Sequence, residues 1–287
     1  MTTSISSFPT NNPDDASFRV WGGGISAQLA AAGFTRASDT GQINWATATR
    51  PAAGASGGYE VYRFNDSLQA TKPIFIKLSY ESAGFNQNYP VIRVTVGTAT
   101  NGAGVISGIG STNTVLTMGS SIASPSPSCY CCASPSRLYL VFAQNPNGGA
   151  HLFIERSKDA SGQYTGDGWF QLNTDQFNQS TSWRVVPYIG PESSFVGTGV
   201  IAVPPTIGVS SLGNKVVLSP VLLPVLAKPR FASLCVAKNG EIGSMTPFTM
   251  THLGAVHTFM TLPLSSGVPV SQGGATGANC CWAIPWE

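Results

Sequence analysis

Tyr89-Pro-Val-Ile-Arg-Val-Thr-Val-Gly97 decides the fold class. Ile92, Val94 and Val96 alternate with Val91, Arg93 and Thr95, a period of two that gives a strand one apolar and one mixed face. Short runs of the same kind, rich in β-branched and aromatic residues, lie on both sides of it. They are Tyr59 to Phe64, Pro73 to Glu81, Arg137 to Gln144 and His151 to Ser157, with Gly, Pro, Asn or Ser at most of their ends. Gly168 to Leu172, Ser182 to Ile189, Gly199 to Val203, Lys215 to Ser219, Phe231 to Ala237 and Val256 to Leu262 extend the series. Asn147-Gly148 is a strong hairpin-turn step, so the runs starting at Arg137 and His151 are expected to pair antiparallel.

One segment has helical spacing instead. Phe18, Trp21, Ile25 and Leu29 recur at three- and four-residue intervals, Asp14 or Asp15 can cap the start, and Gly33 stands where a left-handed C-cap is expected. Gly22, Gly23 and Gly24 weaken the helix by about 1 kcal/mol each against alanine, a cost that close approach of another backbone would offset. Alternating helices, which parallel βαβ units need, are missing from the pattern. The expected fold is therefore mainly β: an antiparallel β-sandwich or jelly-roll-like body with one N-terminal helix and long irregular loops. Residues 1–17 read as a flexible N-terminal arm and 18–287 as one β-rich domain. Ser120 to Ser136, rich in Ser, Pro and Cys, reads as a long loop and the place of any internal boundary, and Ser265 to Asn279 as a Gly/Ser-rich arm.

Charge is scarce. Asp, Glu, Lys and Arg make up 10% of the chain, against about a quarter in ordinary soluble domains, and none occurs from Val94 to Ser136 or from Ile242 to Trp286. With 42% hydrophobic residues the chain is not of disordered composition. Long uncharged tracts in a foldable chain point to surfaces covered by copies of itself or by partners, hence to a homo-oligomer. The net charge of +2, without a basic stripe, argues against nucleic acid as a partner. The start of the chain lacks the basic and apolar regions of a secretory signal. The most apolar run, Val216 to Ala227, is broken by Ser219, Pro220 and Pro224 and is too short for a membrane-spanning helix.

Chemistry-bearing patterns are few. Cys129-x-x-Cys132 with Cys280 and Cys281 supplies four thiols, but a zinc site normally uses two Cys-x-x-Cys hooks. Small buried thiols in a reducing compartment are the simpler expectation, with a disulfide formed on later oxidation as the alternative; no metal or other cofactor is expected. His151, His252 and His257 form no zinc-hydrolase motif, and neither a nucleophile elbow nor a phosphate loop occurs. Glu155, Asp159, Asp167 and Asp175 lie near Trp169 and Trp183, a grouping that fits sugar cleavage or sugar binding. Lys158 and Arg156 beside them fit an ordinary solvated edge equally well. No catalytic residue is assigned, and Trp169 and Trp183 are kept as candidate glycan contacts.

Several stretches resemble structural proteins of tailed bacteriophages: Trp21-Gly-Gly-Gly-Ile-Ser-Ala-Gln-Leu-Ala-Ala-Ala-Gly-Phe34, Asp39-Thr-Gly-Gln-Ile-Asn-Trp45, Tyr59 to Leu68, Pro73 to Leu78, and Pro90 to Thr98 followed by Gly102-Ala-Gly104. The resemblance covers roughly the first third of the chain. It implies a non-enzymatic virion component of the tail, baseplate or fibre attachment, made in the host cytoplasm, carrying no cofactor and bound to other phage structural proteins. A capsid-decorating protein and a host-glycan binding or depolymerising tail-tip protein are the alternatives. Trp21, Trp45 and Tyr59 are the candidate interface residues, since aromatic side chains anchor many contacts; the same three also suit a core.

Overall fold

The structure, a computed structural model, describes residues 2–7, 12–84, 86–108, 112–117, 128–145, 148–173, 184–189, 217–223, 230–238, 247–252, 255–261 and 280–286. Its elements run β1 (Thr2–Ser7), α1 (Asp15–Ala31), β2 (Thr35–Arg36), β3 (Ser56–Arg63), β4 (Phe75–Ala83), β5 (Asn86–Gly97), β6 (Ala99–Thr100), β7 (Ile106–Ser107) and β8 (Thr112–Thr117). There follow β9 (Ser128–Ser134), β10 (Arg137–Asn145), β11 (Gly148–Lys158), β12 (Tyr164–Asn173), β13 (Arg184–Ile189) and β14 (Val217–Leu223). The last four are β15 (Arg230–Lys238), β16 (Pro247–His252), β17 (Ala255–Thr261) and β18 (Cys280–Pro285). The body is sandwich-like and mainly β, with one helix among the described residues.

Asp14 is the helix cap: its Oδ1 accepts the Ser17 amide at 2.7 Å, satisfying a donor that the first turn leaves open. At the other end Gly33, at φ 85°, turns the chain out of the helix. Phe18, Trp21, Ile25 and Leu29 are all buried, as their spacing requires.

Strands β2-β3-β4-β5-β8 make a five-stranded sheet, and β6 with β7 a small hairpin. The other eleven strands form a second sheet along β1-β9-β10-β11-β15-β18-β17-β16, with β12 and β13 branching from β11 and β14 from β15. In the smaller sheet Ile92, Val94 and Val96 point into the core with Ile76, Leu78 and Tyr80. The opposite face carries the mixed set, where Arg93 Nε and Nη2 donate to the two Glu81 carboxylate oxygens at 2.8 and 2.9 Å. The core is shared by α1, this sheet, and one face of β9 to β12 supplying Cys129, Cys131, Leu138, Leu140, Phe142, Leu152, Ile154 and Phe170. The expected antiparallel pairing of β10 with β11 is present, with Asn145 opposite Gly148. Gly148 thus belongs to the strand, and the tip of the turn lies outside the described residues.

Three expectations need correction. Residues 1–17 are not simply an arm: Thr2–Ser7 pair with β9, and Asp15 to Ser17 form the first turn of α1. A backbone ladder requires no apolar sequence, so a Ser/Thr stretch can join a sheet without a hydrophobic signature. The Cys-rich part of the presumed loop is likewise strand β9, in which Cys129, Cys131 and Ala133 act as small core side chains. And what approaches Gly22 and Gly23 is the Trp45 side chain, not a backbone. A Cβ at Gly22 would stand 1.9 Å from Trp45 Cη2. Gly199 to Val203 and Ser265 to Asn279 lie outside the described residues.

Gly22→Ala should therefore destabilise the protein despite alanine's better helix propensity. We expect a net loss of about 1–2 kcal/mol by chemical denaturation. Gly33→Ala, strained at positive φ but free of neighbours within 4 Å, separates backbone strain from collision.

Candidate functional site

The feature best suited to act on another molecule is the edge strand β1. Gln28, on the buried side of α1, holds it in place. One Nε2 donates to Ser4 Oγ at 2.9 Å, Ser4 O at 3.2 Å and Cys129 O at 3.3 Å, stitching β1 to β9. The pairing runs from Thr2 opposite Ala133 to Ser7 opposite Ser128 without a register shift. Among the described residues β1 has a strand neighbour on one side only, so its outer row of N–H and C=O groups faces away from the sheet. Ile5 is 58% exposed. It sits opposite Tyr130, whose ring centroid is 6.1 Å from that of half-buried Trp286.

Edges of this kind are usually blunted by Pro, charge, a bulge or shortness. Among the described residues most other edges follow that rule. β2 has two residues and one is Arg36; β13 contains Pro187, β14 contains Pro220, and β16 opens with Pro247. β1, Thr-Thr-Ser-Ile-Ser-Ser, has none of these devices. β8 also lacks them; it lies against β11 and β12, as β1 lies against α1, and of the two it is β1 that carries a large apolar side chain shown to be exposed.

The interior holds two carboxylate centres that resemble sites and are closed. Glu60 is fully buried. Its Oε1 accepts Ser26 Oγ at 2.7 Å and Trp45 Nε1 at 3.3 Å, with Arg36 Nη1 at 3.4 Å. Its Oε2 accepts Tyr62 Oη at 2.9 Å and Tyr80 Oη at 2.6 Å. Burial pushes both phenols well above their ordinary range; the Glu60 carboxylate adds to this for Tyr62, and the neighbouring Tyr62 and then Glu60 add to it for Tyr80, so both remain protonated donors. Glu155, also fully buried, accepts Tyr139 Oη at 2.5 Å and the Ser233 amide at 2.9 Å.

The residues singled out from the sequence are dispersed. Trp21 is fully buried within the chain, edge-on to Tyr80 at 5.6 Å, and so is a core residue and not a contact surface. Trp45 is half-buried in the same cluster. Tyr59 is half-buried, donates to Thr40 O at 2.6 Å, and lies under Lys77 Nζ, 4.4 Å from its ring centroid. Trp169 is fully buried across from Glu155, which removes it as a glycan platform. Asp167 is buried, and Asp159 Oδ1 caps its own turn by accepting the Ser161 and Gln163 amides. Trp183 and Asp175 lie outside the described residues.

Cys129 and Cys131 point to the shared core while Cys132 points to the other face, so the Cys-x-x-Cys spacing does not converge. Burial pushes the Cys131 thiol up to about 12 and Cys132 up to about 11, away from the thiolate a metal or a nucleophile needs. Among the described residues no three His, Cys, Asp or Glu side chains gather as a metal site. No protein-family model matches the chain, and no curated protein matches it. The candidate strand that sequence reading passed over is β1; its one signal is the isolated Ile5 in an uncharged Ser/Thr run.

His151 is fully buried and stacked on Phe153 at 4.3 Å, and burial pushes its imidazole down to about 3. The unfolded chain takes up a proton near pH 6.5 that the folded chain refuses, so stability is lost as pH falls from there toward the folded value. We expect the wild type to lose about 2 kcal/mol more than His151→Phe between pH 7 and 5. Urea midpoints of both proteins at the two pH values are the measurement.

Proposed function

We propose that this chain is a non-enzymatic structural component of a tailed-phage virion, in the tail, baseplate or fibre-attachment region, acting through multivalent assembly. The observation that carries the reading is the unblunted, uncharged edge β1 with Ile5 exposed beside it. Such an edge is a hazard for a chain that stays alone and an asset for one that joins its sheet to a neighbour. The resemblance of the first third of the sequence to phage structural proteins supplies the context. A glycan-cleaving role draws less support: Glu155 is enclosed by Tyr139 and Ser233, and Trp169 is internal.

Purified, nuclease-treated particles should contain the chain at a fixed stoichiometry by mass spectrometry, with gold-labelled antibody decorating the tail or its tip. Decoration of the head would move the role to capsid binding. Complete absence from particles would defeat the proposal.

A further inference from the structure

We propose that β1 is a self-association edge: the β1 strands of two copies pair antiparallel across a two-fold axis, with Ile5 facing Ile5 of the second copy. This deepens the assembly reading and rests on it only for the premise that the chain associates. It does not depend on which particle contains the protein.

Self-complementarity favours a second copy as the occupant. An isologous contact places the same surface on both sides, so any charge near the axis meets its own like. β1 has no charge to meet, and the first charged side chain of the sequence is Asp14. In the register centred on Ile5, Thr3 lies opposite Ser7 and Ser4 opposite Ser6. Every cross-pair is then small and uncharged, apart from the central one. There the one exposed large hydrophobic of the strand, 58% accessible in the single chain, gains an apolar partner.

The strand is also preorganised for this. Six consecutive residues keep register with β9, and Gln28 pins Ser4 and Cys129 from the helix side, so little order remains to be imposed on binding. The strip of Ile5, Tyr130 and Trp286 on the same face would then continue across the axis into the second copy's strip. Among the described residues the other edges differ: β2 carries Arg36, β13, β14 and β16 carry proline, and β8 lies against β11 and β12.

The test uses the full chain in sedimentation equilibrium. The wild type should contain dimers, and Ile5→Lys should raise the dissociation constant by at least about tenfold, since two ammonium groups would face each other at the axis. Because Ile5 is mostly exposed, the circular dichroism melt should stay close to wild type, which separates lost association from lost folding. Mixing Ile5→Lys with Ile5→Glu should restore the dimer. Under mild oxidation Ile5→Cys should give a cross-linked dimer on a non-reducing gel, and Ser6→Cys and wild type should not, because directly opposed residues alone come within disulfide range. A dimer indifferent to Ile5→Lys would overturn this edge while leaving assembly standing. A wild type monomeric at its highest soluble concentration would overturn both. Absence from particles would bear on the virion reading alone.

Discussion

A carboxylate removed from water governs how the N-terminal half is put together. Glu60 is fully buried on β3, and a buried charge without partners would cost several kcal/mol. Its partners come from separate parts of the chain: Ser26 from α1, Arg36 from β2, Trp45 from the following loop, Tyr62 from β3 and Tyr80 from β4. Satisfying one acidic group therefore sets the helix, the loop and the smaller sheet relative to each other. Trp45 can reach Glu60 only because Gly22 leaves room for its ring, so the glycines that weaken α1 locally are required by its tertiary partner.

The same helix carries that order to the second sheet. Three residues after Ile25, Gln28 turns to β1 and β9 and bridges them. A further link runs through Arg156, fully buried on β11, which pairs with Asp66 and donates Nη1 to Gly166 O at 3.2 Å. Both sheets are thus tied by polar contacts placed inside an apolar core. Such contacts specify one arrangement more sharply than apolar packing, because a displaced partner leaves a charge uncompensated. The edge strand inherits this precision, and an edge presented rigidly is better suited to repeated assembly than a loose tail.

The scarcity of charge has two origins that the sequence alone merges. Within the tract from Val94 to Ser136, Val94, Val96, Cys129, Cys131, Cys132 and Ala133 are wholly enclosed by the chain itself and need no outside partner. Val105, 57% exposed, belongs to the same tract and to the surface. Missing charge therefore marks the interior as well as surfaces available to partners. What distinguishes β1 is not low charge alone but low charge on a strand that, among the described residues, has a strand neighbour on one side.

The antiparallel β class, the helix from its Asp14 cap to Gly33, and the buried alternation of Ile92, Val94 and Val96 were legible in the sequence, because each depends on the spacing of neighbouring residues. The strands β1 and β9 were not, since Ser, Thr and Cys carry little periodic signal and both strands are held by ladders to residues distant in sequence. The fate of the aromatic candidates was hidden in part: helical spacing places Trp21 on the buried face with Phe18, Ile25 and Leu29, whereas nothing in the local context of Trp45 or Tyr59 shows that each is half-buried. Local pattern determined which segments form strand or helix. Only the tertiary structure decided which polar groups meet, which aromatics are enclosed and which strand has one neighbour among the described residues, because those depend on the partners that long-range packing brings alongside.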